Sequence, residues 1–309
     1  MKNVIKQLLI YSLIMFMSVK VTSQSKSISV VDSETKIEKR DKKKKKKKRK
    51  KKVKLPKIDL SHWKVTLPAT NEKGKPYEID PPEILDFATN EVAKPYMFID
   101  STRGAIVFHA RPTESKTRNT KYTRSELREQ MVPGDNNTNW TFKDGAYMKG
   151  KLAIDGVSRD KNGKYHRIII MQIHGRLTNE QKELIGEDDN NAPPILKIYW
   201  HRGKVRVKTK VLKNIGAKEP EILHEDAWGD DDGFNFEEEV GFRKFTLEVK
   251  VSEGKMVIIL NGNEYKVYEN IHMKKWGVFE NYFKAGNYFQ TRDEGAFAKV
   301  RYYELEVSH

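Results

Sequence analysis

From Ile58 onward the chain is a succession of short runs, apolar throughout or alternating apolar with polar, separated by Gly, Pro, Asn and Asp. Examples are WKVTLP (63–68), YMFID (96–100), AIVFHA (105–110), AYMKGKLAI (146–154) and HRIIIMQIH (166–174), with ILKIYWHRGKVRVKTKV (195–211), FRKFTLEVKVSEGKMVIILNGNEYKVY (242–268) and AKVRYYELEV (298–307) further on. A period of two sends successive side chains to opposite faces, so such runs hold together as strands and not as helices. Arg202-Gly203, Glu253-Gly254 and Asn261-Gly262 fall between runs as hairpin signals. Many short strands joined by tight turns predict an all-β sandwich or barrel. Residues 58–309 are an ordinary length for one such domain. Helix is expected only briefly, at 82–88 and 179–185.

The segment before Ile58 has a different character. Lys2 and Lys6, the apolar run 8–19 and the small residues Val21-Thr22-Ser23 read as a secretory signal over 1–23. That run is too short to cross a bilayer comfortably, and no other stretch approaches a span, so no membrane span is expected. A protein secreted to the periplasm or the exterior follows. The chain has no cysteine, so its core must stand without disulfides, and thiolate metal sites are excluded. Residues 24–57 are expected to be a disordered Lys-rich linker or tail, with an unbroken basic run at 42–52. That tail is either a solvated spacer or an electrostatic tether to a polyanion. It also carries the whole charge imbalance. Residues 1–57 hold 20 Lys+Arg and 4 Asp+Glu, which accounts for the net +16, and the remaining 39 and 39 cancel. A nucleic-acid-binding domain is therefore not expected.

Three constellations on predicted strands show period two. In RSELRE, Arg124, Glu126 and Arg128 share a face, which is either a solvated face or a site. In HRIIIMQIH, Ile169, Met171 and Ile173 should pack between sheets, leaving Ile168, Ile170, Gln172 and His174 on the other face. In YFKAGNYFQ, Tyr282, Lys284, Gly286, Tyr288 and Gln290 share one face, and Phe283, Ala285, Asn287 and Phe289 the other. Gly286 should leave a gap through which a ligand could approach the backbone. Arg, Gln, His, Lys and Tyr together suit a carboxylate-bearing substrate, since Arg pairs bidentately with carboxylates and Tyr and His move protons. No pair of carboxylates stands out as the acid and base of a glycosidase, and HExxH, P-loop and GxSxG motifs are missing.

RSELRE, QIH and YFKAGNYFQ, in this order and spacing, resemble the signature blocks of the polysaccharide lyase family 7 alginate lyases. WKVTLP and WGVFENYFKAG look like the same family. The resemblance covers residues 58–309. Phe289 departs from it, standing where the family more often has Asn; alternation points that residue away from the catalytic face. The resemblance implies a β-jelly roll of two antiparallel sheets with a concave substrate cleft. It implies β-elimination at a uronic acid of alginate, with Arg124, Gln172 and His174 neutralising the substrate carboxylate as the enolate forms. Tyr288 would protonate the leaving glycosidic oxygen and, where base and acid work from the same face, would also remove the C5 proton. His174 would instead be the base where the C5 proton lies on the opposite face, as in guluronate, and its two roles stay open as alternatives. Glu126 would orient the two arginines, and Arg128 and Lys284 would bind carboxylates at neighbouring subsites, with Tyr282 and Gln290 also touching substrate. Side chains do the neutralising, so no metal or other cofactor is expected.

The Ile in QIH leans the expected preference toward guluronate-containing blocks, and a monomer is expected. The acidic stretch 224–239 reads as a solvated loop or as a lid with Trp228 or Phe234 on the substrate. A non-catalytic module binding acidic polysaccharide on the same fold is the alternative; filled catalytic positions count against it.

Overall fold

In the computed structural model, residues 53–115 and 120–309 are described, so the expected leader and the basic run 42–52 lie outside the described residues. Eighteen strands are described: β1 (Lys57–Ile58), β2 (Trp63–Thr70), β3 (Pro76–Ile79), β4 (Met97–Asp100), β5 (Ala105–Ala110), β6 (Arg124–Glu129), β7 (Trp140–Thr141), β8 (Ala146–Val157), β9 (Ile168–Arg176), β10 (Leu196–His201), β11 (Lys204–Leu212), β12 (Trp228–Asp230), β13 (Phe234–Glu239), β14 (Phe245–Ser252), β15 (Lys255–Leu260), β16 (Glu264–Tyr268), β17 (Glu280–Phe289) and β18 (Ala298–Ser308). The described helices are short: α1 (Asn179–Ile185), α2 (Ile271–Trp276) and three 3₁₀ turns. None is long and apolar enough to cross a membrane.

The strands form two sheets. One runs β16-β15-β14-β8-β18-β5-β4, with β1 against β18; the other runs β12-β11-β10-β9-β17-β6-β2-β3, with β13 on β11 and β7 on β17. The β1–β18 pair is parallel and the long ladders are antiparallel. Strands distant in sequence lie side by side, β17 between β9 and β6 and β18 between β8 and β5, as in a jelly roll. This is the two-sheet sandwich expected from the alternation.

Alternation explains the layering. In β14, Phe245, Leu247, Val249 and Val251 are buried while Thr246, Glu248 and Lys250 are not. The space between the sheets is filled by large side chains, among them Phe108, Trp140, Trp200, Phe283, Phe289 and Tyr302. Burying each such side chain contributes roughly 1.5–3 kcal/mol, which is how the fold stands without a disulfide. Two hairpins turn at Arg202-Gly203 and Asn261-Gly262, all four residues at positive φ, the twist that matches flanking strands.

Helix α1 falls on the expected 179–185, with Thr178 and Gln181 forming a capping box. Helix α2 was not expected. Its signal is Asn270, whose side chain accepts from the amides of His272 and Met273. Lys54 and Lys57, which the sequence assigns to the loose tail, are joined to the sandwich: Lys54 N–H donates to the Ser101 carbonyl, and Lys57 pairs with Glu304 in β18.

One expectation about faces fails. In β9, Ile168 and Ile170 are in the core with Met171 and Ile173, whereas Ile169 lines the cleft. The cause is a bulge. Ile198 and Tyr199 of β10 are consecutive, yet they face Met171 and Ile169, so Ile170 is the extra residue. Its carbonyl accepts from the Tyr302 hydroxyl of the opposite sheet. The bulge reverses the alternation toward the strand's start and leaves Gln172 and His174 on the cleft face.

Candidate active site

The concave face of the ten-stranded sheet floors a cavity of about 720 Å³. The register lines up one row of side chains across six strands: Lys64 (β2), Arg128 (β6), Lys284 (β17), Gln172 (β9), Lys197 (β10) and Lys208 (β11). Side chains directly opposite in adjacent strands have Cβ atoms about 5 Å apart, so the row is continuous. In neighbouring rows His174 faces Tyr282, Gly286 faces Glu126, and Tyr288 faces both Arg124 and Ile169. Among the described residues of the cavity wall, seven Lys and Arg side chains stand against three Asp and Glu. Such a surface attracts a polyanion.

The opening charges of β6 are not solvated. Arg124 is 8%, Glu126 1% and Arg128 7% exposed. Glu126 is the hub: its Oε1 accepts from Gln172 Nε2 at 2.6 Å, and its Oε2 meets Lys284 Nζ at 2.8 Å and Arg124 Nη1 at 3.2 Å. Two buried cations thus share one carboxylate, and Arg124 Nη2 has no acceptor among the described residues. The expectation that Glu126 orients both arginines holds for Arg124 alone; its other partners are Lys284 and Gln172. Burial, with the nearby charge of Arg124, pulls Lys284 down to about 8 despite Glu126. Lys284 thus sits in this central cluster, where it also lines the cavity.

Arg128 lines the cavity as well. It donates to the Glu129 carbonyl (2.6 Å), the Asn136 carbonyl (2.9 Å) and Asn139 Oδ1 (3.0 Å), and its guanidinium lies 4.1 Å from the Tyr282 ring centre. These contacts hold a loop and a ring. The Tyr282 ring in turn stacks on His174, with centroids 5.3 Å apart and planes 15° apart.

His174 Nδ1 lies 3.0 Å from the Gly175 carbonyl. A carbonyl only accepts, so Nδ1 carries the proton and Nε2 presents a lone pair. Burial and the positive charge of Lys284 push its pKa down to about 3, so the ring is neutral at pH 7. Tyr288 lies under Arg124, whose guanidinium is 4.1 Å from the ring centre. Burial raises the Tyr288 pKa, while Arg124 pulls the other way. Gln290 lines the cavity, its amide donating at 3.3 Å to the Tyr288 carbonyl.

Gly286 does not open a gap for a ligand. Its φ is +140°, and a Cβ there would lie 2.7 Å from the Ser125 carbonyl oxygen and 2.9 Å from Glu126 Cα. The glycine admits the close approach of β6, and that approach brings Glu126 under the site. The acidic stretch 224–239 is not a free loop either. Trp228 is in the core against Trp276, with its indole N–H on the Ile222 carbonyl, so it cannot touch substrate. Reading the sequence also missed Lys64, Tyr122, Arg176, Lys197 and Tyr199, all of which line the cavity. Lys197 and Tyr199 sit at period two in an obvious strand, so their shared face was legible; which face it was depended on the sheet partners.

A family model described as alginate lyase matches residues 58–309. An alginate lyase of Klebsiella pneumoniae is 25% identical, in a match that covers 82% of this chain and 90% of that protein. Among solved structures, alginate lyase A1-II′, a member of polysaccharide lyase family 7, is 30% identical with a TM-score of 0.64, over 82% of this chain and 96% of that one. A variant of A1-II′ with one histidine changed to asparagine and one tyrosine to phenylalanine, solved with substrate (GGMG), is 29% identical with a TM-score of 0.63, over 82% and 94%.

Proposed function

The chain belongs to the alginate lyase family, and on that premise we propose that it cleaves alginate by β-elimination, using Arg124, Gln172, His174 and Tyr288. The observation that carries this reading is the shared carboxylate. Glu126 holds Gln172, Lys284 and Arg124 together, and the cations outnumber it. A uronate carboxylate entering the cleft supplies the missing negative charge. Neutralised there, it stops opposing loss of the C5 proton and can take up charge as the enolate forms.

The tautomer of His174 favours the base among its two candidate roles. Nε2 holds a lone pair and has no proton to give a carboxylate. Its low basicity in the empty site comes from burial and nearby cations; a bound carboxylate offsets those charges and raises it. Tyr288 is protonated at neutral pH and donates its proton to the glycosidic oxygen leaving C4. Base and acid are then different residues, which fits removal of a proton from the face opposite the leaving group, as guluronate requires. The substrate complex of A1-II′, obtained with one histidine and one tyrosine replaced, is in keeping with a His–Tyr pair. Arg128 and Tyr282 hold the imidazole in place. The apolar run 8–19 supports export of the protein, testable by fractionating cells that express the full chain and a version lacking residues 1–23.

Ultraviolet absorbance of new unsaturated uronate ends tests the reaction on guluronate-rich and mannuronate-rich alginate. Wild type should give a rise, faster on the guluronate-rich polymer. Tyr288→Phe and His174→Asn should each lower the rate by about 10²–10⁴ while remaining folded. Full activity in either variant would overturn its assigned role. A folded wild type that gives no absorbance on either polymer would overturn elimination itself.

A further inference from the structure

The cleft floor does not end where its cations end. On β11, Lys204, Arg206, Lys208 and Lys210 alternate with the core residues Val205 and Val207 and the buried Thr209, so all four share the concave face. On β10 the same face carries Lys197, directly opposite Gln172 on one side and Lys208 on the other. The basic row therefore continues two strands past the catalytic amide.

There it meets an acidic residue of the chain itself. Strand β12 pairs with the end of β11, Asp230 opposite Lys210, and β13 runs on beside the same edge of β11. Both Asp230 oxygens accept from Lys197 Nζ, at 3.0 and 3.1 Å; Lys210 Nζ lies at 2.9 Å and Lys208 Nζ at 3.9 Å. Further along, Arg206 donates to the Asp232 carbonyl and, at 3.0 Å, to Asn235 Oδ1. The Lys197 and Lys210 side chains are 16% and 13% exposed, whereas Asp230 is 33% exposed. Asp230 is directly opposite Lys210 in register, so its carboxylate lies on the face that these lysines share.

We propose that Asp230 occupies the place of a uronate carboxylate on Lys197, Lys208 and Lys210, and so closes the cleft on the β10–β11 side and sets how many sugar units are held there. The assignment rests on the elimination reading above. A carboxylate held by three ammonium groups is the contact that a polyuronate would make. A polymer chain that reaches Lys197 meets an ammonium already paired with a carboxylate, and that carboxylate's negative charge beside it. Removing that charge frees Lys197, one strand from Gln172, to take the next uronate.

The test uses purified guluronate oligomers of increasing length with wild type, Asp230→Asn, Asp230→Glu and Asp230→Asn/Lys197→Gln. Rate against length should level off at one length for wild type and for Asp230→Glu, which keeps the carboxylate. In Asp230→Asn the plateau should move at least one unit longer, with KM for the longest oligomers about tenfold lower, the effect of one charge-assisted contact. Lys197→Gln in that background should return the plateau to the wild-type length. Asp230→Ala carries the same expectation should the amide variant not fold. An unchanged plateau in folded Asp230→Asn or Asp230→Ala, or a longer plateau in Asp230→Glu, overturns the proposal. Wild type failing on every oligomer would strike the elimination reading instead.

Discussion

Replacing Glu126 by Gln removes the one charge that the site's buried cations share, with almost no change of shape. Lys284 holds its proton with a pKa of about 8, only about one unit above neutral. If the substitution makes the charged amine too costly, the amine sheds that proton, which caps its share of the loss at about 1.4 kcal/mol at pH 7. Arg124 has no such escape, because a guanidinium stays charged in proteins. Losing a hydrogen bond to a charged group there costs about 1.5–3 kcal/mol. The sum, roughly 3–4 kcal/mol, sits at the low end for breaking a buried ion pair. A domain of this size should then melt some 6–16 °C lower, at about 2–4 °C per kcal/mol. Denaturant titrations at pH 7 and pH 9 separate the two parts. Lys284 is largely neutral at pH 9 even with Glu126 present, so the difference between variant and wild type should shrink by about 1 kcal/mol. A loss below about 1 kcal/mol at pH 7, or one identical at both pH values, would refute the shared-carboxylate account.

The imidazole of His174 gives a second pH signature. Its folded pKa of about 3 lies below the ordinary 6.5, so between those values the unfolded chain binds a proton that the folded one does not. Stability should therefore fall as pH drops below 6.5, by about 2 kcal/mol at pH 5, and His174→Gln should flatten that slope in urea titrations. Gly286→Ala should cost about 2–5 kcal/mol from strain and overpacking against β6. A variant that melts like wild type but shows a raised KM would instead assign the gap to the substrate.

Much of the fold was legible because alternation is a local property. Strict period two in RSELRE and YFKAGNYFQ placed Arg124, Glu126, Lys284 and Tyr288 on one face before any partner strand was known, and Phe289, which departs from the family pattern, is in the core as alternation required. The same rule failed in β9, where Ile170 is inserted into the ladder. Nothing in a run of three isoleucines marks which one bulges; the choice is made by the neighbours, with Tyr302 reaching across the sandwich to the Ile170 carbonyl. Trp228 was misjudged for a related reason. Acidic neighbours made its segment look solvated, yet its ring packs on Trp276, 48 positions along the chain.

The sequence by itself determined the class of the fold, the face each candidate site residue would share, and the chemistry those side chains can perform. These follow from residue type and from spacing along one strand. Which charge answers which was decided only in the tertiary structure. Glu126 belongs to Arg124, Lys284 and Gln172, Arg128 to a loop and a ring, and Asp230 to the lysines of β10 and β11. Those pairings depend on the register between strands far apart in the chain, and a shift of one residue would point every side chain of a strand the other way.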